Sequence, residues 1–194
     1  DAPTAASVML AGVLLKMGGY GLLRINVGMF PSQTDRFAWA LVALGVISVL
    51  YGAVVTMRQT DLKRLIAFSS ISHMGLVLIG IGSVGISQGT LTVTGLNGAA
   101  MQLFTHGTVT GLLFLAVGLV YDKTGTRYIP DLGGLAGRMP VVAVAMLIAG
   151  LASLGLPGLS GFVSELLVFL GAFQAYAWPT VLAVLGIVLA AGYI

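Results

Sequence analysis

The sequence predicts an all-α polytopic membrane protein of about six transmembrane helices, and three observations carry that expectation. Charged residues make up only 8% of the 194-residue chain, against 58% hydrophobic ones, whereas a soluble domain carries about 25% charge. So few charges cannot form a polar shell, and the mean hydropathy of +1.05 agrees that most of the surface faces lipid. The apolar residues come in long runs without the alternation of barrel strands, which makes the helix the spanning element. Glycine, 28 residues in all, recurs inside those runs, as close helix packing in lipid requires.

A spanning helix needs roughly 20 mostly apolar residues, and the qualifying segments are about 5–29, 38–57, 62–86, 96–121, 140–173 and 178–194. The first holds LAGVLLKMGGYGLL with Lys16 inside it. The connection at 58–64, RQTDLKR, carries Arg58, Lys63 and Arg64, and the one at 122–139 carries Lys123, Arg127 and Arg138. The alternate connections are poorer in basic residues: 30–37 has Arg36, while 87–95 and 174–177 have none. Counting Lys and Arg places 58–64 and 122–139, and Asp1 with them, on the cytoplasmic side. The fifth segment is too long for one straight span, at ~50 Å if wholly helical. SLGLPGLSG, residues 153–161, interrupts it, and Pro157 removes a backbone donor there. A helix broken inside the membrane near Pro157 is expected, its freed backbone groups meeting water or polar side chains. DAPTAAS has no initiator Met and no signal-peptide pattern, and the chain stops inside VLAVLGIVLAAGYI. Both ends read as cut, so residues 1–194 are expected to form part of one longer membrane domain.

Several chemistries drop out early. There is no cysteine, hence no disulfide and no thiolate-held metal or iron–sulfur cluster. A net charge of +3 is too small and dispersed for nucleic-acid binding. No nucleotide fingerprint or haem-type ligand set is present.

What remains is a handful of charges placed where they cost most. Lys16 is one of three lysines and lies ~15 Å of helix from either end of its span, beyond the reach of a snorkelling stem. It is either a lysine fixed by a carbonyl or carboxylate, or a titrating site; intramembrane ionisable residues favour the second. His106, in MQLFTHGTVTGLLF, is accompanied by Gln102, Thr105, Thr108 and Thr110. An unperturbed pKa of about 6.5 suits proton relay, with the hydroxyls ordering water; metal ligation lacks a second ligand at suitable spacing. His73 follows Ser69, Ser70 and Ser72 in AFSSISHMG, where relay and helix–helix hydrogen bonding both account for the polar patch. Glu165, the sole glutamate, lies just after the expected break, as ionisable groups do in ion-translocating broken helices. Lys63 and Arg64 are explained by topology and headgroup contact. Lys16, His106 and Glu165 thus form a lateral row on three helices rather than one compact site, with His73 as a further candidate.

These residues sit in familiar surroundings. DAPTAASVMLAGVLLKMGGYGLLR, QTDLKRLIAFSSISHMG, QLFTHGTVTGLLFLAVGLVYDKTGTR and GLPGLSGFVSELLVFLG together resemble the antiporter-like membrane subunits of respiratory complex I, in the subunit M branch. That branch includes the mitochondrial subunit 4 and a counterpart in the photosynthetic relative of the complex. The resemblance implies a 14-helix fold of two inverted repeats, with this chain supplying the eighth to thirteenth helices and most of the second repeat. It matches Lys16 to the central lysine of the eighth helix, His106 to the histidine of the eleventh and Glu165 to the acidic residue of the broken twelfth. Glu165 also departs from the lysine usual in the L and N relatives and in many cation/proton antiporters. The family's input pair, a glutamate of the fifth helix and a lysine of the seventh, has no counterpart here.

The resemblance further implies a proton-translocating subunit of NADH:quinone oxidoreductase in a bacterial inner membrane, packed against L-like and N-like subunits and lipid. NADH, FMN, iron–sulfur clusters and quinone are then expected in partner subunits, with no cofactor in this chain. Protons would pass from Lys16 through His106 to Glu165 and leave opposite the basic connections. The alternatives are an Mrp-type Na⁺ or K⁺/proton antiporter, an antiporter-like subunit of a membrane-bound hydrogenase, and a structural scaffold whose charges staple helices together.

Overall fold

The structure, a computed structural model, describes residues 2–84 and 93–194. Asp1, residues 85 and 86 of the expected third span, and residues 87–92 of the connection after it lie outside the described residues. Four helices are long and apolar enough to cross a membrane: α1 (Thr4–Val27), α2 (Pro31–Thr56), α3 (Leu62–Gly82) and α4 (Val93–Thr124). Three shorter apolar helices follow, α5 (Pro140–Ser153), α6 (Ser160–Ala175) and α7 (Ala177–Ala191).

Several boundaries differ from the sequence reading for identifiable reasons. α2 starts at Pro31, not near 38, because a proline in the first helical turn loses no hydrogen bond. The carbonyl of Phe30 accepts from both the amide and the hydroxyl of Thr34, each at 3.0 Å. Its first turns carry Ser32, Gln33, Asp35 and Arg36, polar enough to look like a connection. α4 runs to Thr124, where Gly125 (φ +71°) turns the chain and its amide donates to the Tyr121 carbonyl at 2.8 Å, a left-handed helix stop. The connection expected at 174–177 shrinks to Tyr176 alone. α6 and α7 double back there: Ala172 and Ala183 share one cluster, and Glu165 and Ala190 line one small cavity.

The fifth segment is broken at residues 154–159. Gly155 (φ +72°) and Gly158 (φ +97°) make the turn on either side of Pro157. Glycine adopts this region freely, whereas other residues pay ~1–2 kcal/mol. The helix has already ended at Ser153, so the glycines shape the break and Pro157 sits within it. The freed amides find backbone partners: Leu156 donates to Leu151 and Leu159 to Leu156, at 3.1 and 3.0 Å.

α4 is the central helix, touching α1, α3, α5 and α6. α2 and α3 pack through Val42, Val46, Val49, Leu76 and Ile79, closed by Val168 of α6 and Ala183 of α7. Val77 and Ile81 of α3 meet Ala99 and Leu103 of α4 beneath Leu22 and Leu23 of α1. The pattern is that of a chain dissolved in lipid. Large apolar side chains such as Phe104 and Val141 point outward, while serines, threonines, both histidines, Lys16 and Glu165 are buried. Between apolar helices in lipid, association rests on packing and interhelical hydrogen bonds of about 0.6–2 kcal/mol each. The Ser72 hydroxyl makes one to the Val49 carbonyl at 3.0 Å, joining α3 to α2.

The two basic connections are joined to each other. Leu62 donates to the Arg127 carbonyl at 3.0 Å and Ile129 to the Thr60 carbonyl at 2.8 Å. Arg127 Nε lies 3.6 Å from Asp61 Oδ2. Asp61 also caps α3, accepting from the Arg64 amide at 3.1 Å, an arrangement that satisfies an otherwise orphaned donor. The segments rich in Lys and Arg therefore share one face, the one the charge count assigns to the cytoplasm.

Candidate functional site

Four buried titratable side chains from four helices meet in a row across the middle of the bundle. Lys16 comes from α1, His73 from α3, His106 from α4 and Glu165 from α6, each less than 8% exposed. The row starts in an unusual piece of helix. Leu10–Leu14 and Leu22–Val27 are wound as wide π turns on either side of the α-helical Leu15–Gly21; such turns recur at functional sites because they loosen the carbonyl ladder. The Lys16 ammonium folds back onto the Ala11 carbonyl within the first wide turn. Across the interface, its Nζ lies 3.5 Å from Thr110 Oγ1. Thr110 gives its own proton to the His106 carbonyl at 2.6 Å, which leaves an oxygen lone pair for the ammonium. No carboxylate among the described residues pairs with Lys16.

α1 comes this close to α4 because both are bare at the crossing. A Cβ on Gly107 would stand 2.8 Å from the Gly12 carbonyl oxygen, nearer than real side chains allow. Any larger residue there would push Lys16 away from Thr110.

The next step is ring to ring. The imidazoles of His106 and His73 have centroids 4.7 Å apart and tilt by 32°. His106 Nε2 is buried with no hydrogen-bond partner among the described residues. It borders a cavity of about 10 Å³ lined by His73, Gln102, Thr105, Ser153 and Glu165. That is room for about one water with several polar partners.

His73 is the junction of the site. Its Nδ1 is 3.4 Å from Glu165 Oε1 and 3.4 Å from Gln102 Nε2, and its Nε2 is 3.1 Å from Ser153 Oγ. With a proton on Nδ1 the ring accepts from Ser153 and faces Glu165 Oε1 at 3.4 Å. With the proton on Nε2 it donates to Ser153 and accepts from Gln102. Each tautomer finds polar groups at both nitrogens, and either nitrogen can carry the proton. Gln102 is fixed in turn, its Oε1 accepting from the Ser164 hydroxyl.

Glu165 owes its position to the break. An added Cβ on Gly155 would fall 2.5 Å from Glu165 Oε2, so the carboxylate rests against a bare α-carbon that only glycine provides at φ +72°.

This geometry sharpens the sequence reading and differs from it at two points. The row is tighter than expected, with His106, His73 and Glu165 in one cluster instead of well-separated stations. His73 lies between His106 and Glu165; among its neighbouring serines Ser72 reaches another helix, while Ser69 and Ser70 bond to Ile66 in their own. Thr108 leaves the polar strip, being exposed and bonded to Phe104 and Thr105 of its own helix. Ser153 and Ser164 are additions that the sequence did not single out. Among the described residues no group of His, Asp and Glu is placed to hold a metal ion.

A family profile described as "NADH:quinone oxidoreductase/Mrp antiporter, TM" matches residues 1–190. The NADH-quinone oxidoreductase subunit M of Rickettsia bellii (strain RML369-C) is 45% identical over 193 residues, covering 100% of this chain and 38% of the relative. A chain of respiratory complex I from Thermus thermophilus with bound NADH superposes with a TM-score of 0.84 at 38% identity, over 93% of this chain and 37% of that one. A chain of the Mrp complex from Dietzia sp. DQ12-45-1b does so with a TM-score of 0.84 at 30% identity, over 97% and 21%. This chain thus spans well under half the length of the relatives it matches. With its apolar helices, its inward-facing charges and these bacterial relatives, it is a multi-pass integral protein of a bacterial membrane, and it belongs to the NADH:quinone oxidoreductase/Mrp antiporter transmembrane family.

Proposed function

We propose that this chain is a proton-carrying part of a membrane-arm subunit of NADH:quinone oxidoreductase, the subunit M type of respiratory complex I. The observation that carries the reading is the file of buried side chains from Lys16, past Thr110, to His106, His73 and Glu165, in which the two rings lie 4.7 Å apart and His73 Nδ1 is 3.4 Å from Glu165 Oε1. Two unit charges about 4–5 Å apart interact by roughly 3–4 kcal/mol at an effective dielectric of ~20. The two histidines, 4.7 Å apart, therefore resist holding two protons at once. With His73 as imidazolium and Glu165 as carboxylate, a proton reaching His106 from the Lys16 side drives one His73 proton onto Glu165, and the neutral His73 ring then takes the proton from His106. Glu165 releases its proton to the face opposite the basic connections, and the row resets.

The energy for this cycle comes, in the proposal, from NADH oxidation and quinone reduction in partner subunits that hold FMN and iron–sulfur clusters. L-like and N-like antiporter subunits are the proposed neighbours in the membrane arm. The 45% identity to subunit M of Rickettsia bellii supports this assignment over more distant members of the family.

The test is proton pumping and NADH:quinone activity in vesicles of the intact complex carrying Lys16→Ala, His73→Ala or Glu165→Ala. Pumping is expected to fall by about 10² or more in each, the usual worth of a positioned acid–base group. Undiminished pumping in all three would overturn the proposal. Loss of assembly with unchanged pumping per assembled complex would instead favour a scaffold. The likeness to the Dietzia Mrp complex favours one second reading, cation/proton exchange along the same row. Sodium-dependent proton counterflow in the absence of NADH distinguishes it.

A further inference from the structure

A groove of about 710 Å³ runs along the outside of the bundle between α1, α3 and the basic face, and none of the four buried titratable side chains lines it. Among the described residues, three cations, Lys63, Arg64 and Arg127, and one carboxylate, Asp61, stand at the end of the groove on the basic face. Asp61 is already engaged, by the Arg127 guanidinium at 3.6 Å and by the Arg64 amide. Arg127 is further held over the Tyr121 ring at 5.2 Å. Lys63 gives one proton to the Ala2 carbonyl at 2.8 Å and keeps two. The exposed Arg64 guanidinium has no partner among the described residues. Among the described residues the cations thus outnumber the anion at this end of the groove, and the N-terminus of α3 adds its positive dipole.

Below them the groove is apolar. Leu10, Leu14, Ile71 and Phe114 line it, and Leu10 and Leu14 are 63% and 56% exposed. From Lys63 to Ile71 it follows α3 for about 12 Å into the membrane. A concavity of this size within hydrocarbon is filled by a lipid tail, since an empty one forfeits dispersion contacts along its whole wall. Basic pockets between spanning helices on the cytoplasmic side select anionic headgroups. The larger cleft between α1 and α4, about 1030 Å³, has Lys16 and Arg24 as its charged lining among the described residues and no such cluster at one end.

We propose that this groove binds one anionic phospholipid, its phosphate held by Lys63 and Arg64 beside Arg127 and an acyl chain laid along Leu10, Leu14, Ile71 and Phe114. Ala11 also lines the groove, so the chain would lie against the wide turn whose carbonyl receives Lys16. The inference stands apart from the proposed proton path, because it needs neither transport nor redox activity.

The experiment places the photo-crosslinking residue p-benzoylphenylalanine at Ile71 of the full-length chain in its native membrane and weighs the adducts after illumination. An adduct of phosphatidylglycerol or another anionic phospholipid is expected. It should fall by on the order of tenfold when Lys63→Gln and Arg64→Gln are combined, and persist with the charge-keeping pair Lys63→Arg and Arg64→Lys. Should the neutral double variant fail to accumulate, membranes depleted of anionic phospholipid give the same reading with the original residues, again with a loss expected. A zwitterionic adduct indifferent to these changes overturns the proposal. So does a peptide adduct, from the same chain or another subunit, which would show that protein fills the groove.

Discussion

Replacing Gly155 by alanine moves Glu165 without altering any group that titrates. The new methyl falls 2.5 Å from Glu165 Oε2 and 3.2 Å from Cδ. Ordinary contact begins near 3.5 Å, so the carboxylate must withdraw by roughly 1 Å. The contact of its Oε1 with His73 Nδ1, now 3.4 Å, is displaced with it. A misplacement of about 1 Å at a reacting centre costs up to ~10² in rate. Alanine at φ +72° adds a backbone penalty of ~1–2 kcal/mol, and Gly158 supplies the control for it. Gly158 has φ +97°, yet nothing lies within 4 Å of where its Cβ would be, so Gly158→Ala carries the strain without the collision. The assay is protons pumped per NADH oxidised in vesicles of the intact complex, with assembly measured alongside. Gly155→Ala should lose most pumping while Gly158→Ala retains it. If the two variants pump alike, contact between Gly155 and the carboxylate does not position Glu165, and the reasoning is refuted.

Further outcomes follow from the same geometry. Thr110→Val keeps the shape but removes the hydroxyl between Lys16 and the His106 carbonyl; it should cost about 1 kcal/mol of stability and slow pumping, with Thr110→Ser restoring both, as thermal unfolding and vesicle acidification would register. Asp61→Ala removes the α3 cap and the Arg127 partner and should cost about 1 kcal/mol in thermal stability, whereas Asp61→Asn, an equally good cap, should lose less. Equal losses in the two would mean that the ion pair, not the cap, is what Asp61 provides.

Much of the site is legible in the sequence because lipid makes charge scarce. Lys16 and Glu165 stand out by rarity alone, and Gln102, His106 and Thr110 fall four residues apart on one face of α4, where the structure finds them together. Thr108 reads as part of the same strip because the spans are apolar on every side, so no polar stripe fixes the rotation of a helix about its axis. The same gap hides the role of His73. Serines one turn away look like ordinary helix glue, and only the crossing of α3 over α4 and α6 reveals that the ring faces Glu165. Ser153 ends its helix at the irregular turn and Ser164 lies one turn into the helix after it, and the turn between them breaks the periodicity that would tell which side chains point inward. The start of α2 escapes for the opposite reason: its first turns are regular but polar.

The joined basic connections have a bearing on this chemistry although they lie outside the membrane. Two main-chain hydrogen bonds tie the start of α3 to the chain just beyond the end of α4, and these two helices carry the two histidines. His73 sits twelve residues above Asp61, about 18 Å along α3. The tie serves as a datum from which both rods are measured, and rods fixed at one end can still lean but cannot slide past each other. The spacing between the imidazoles is thus gauged from the aqueous face, by backbone groups that never meet a proton in transit.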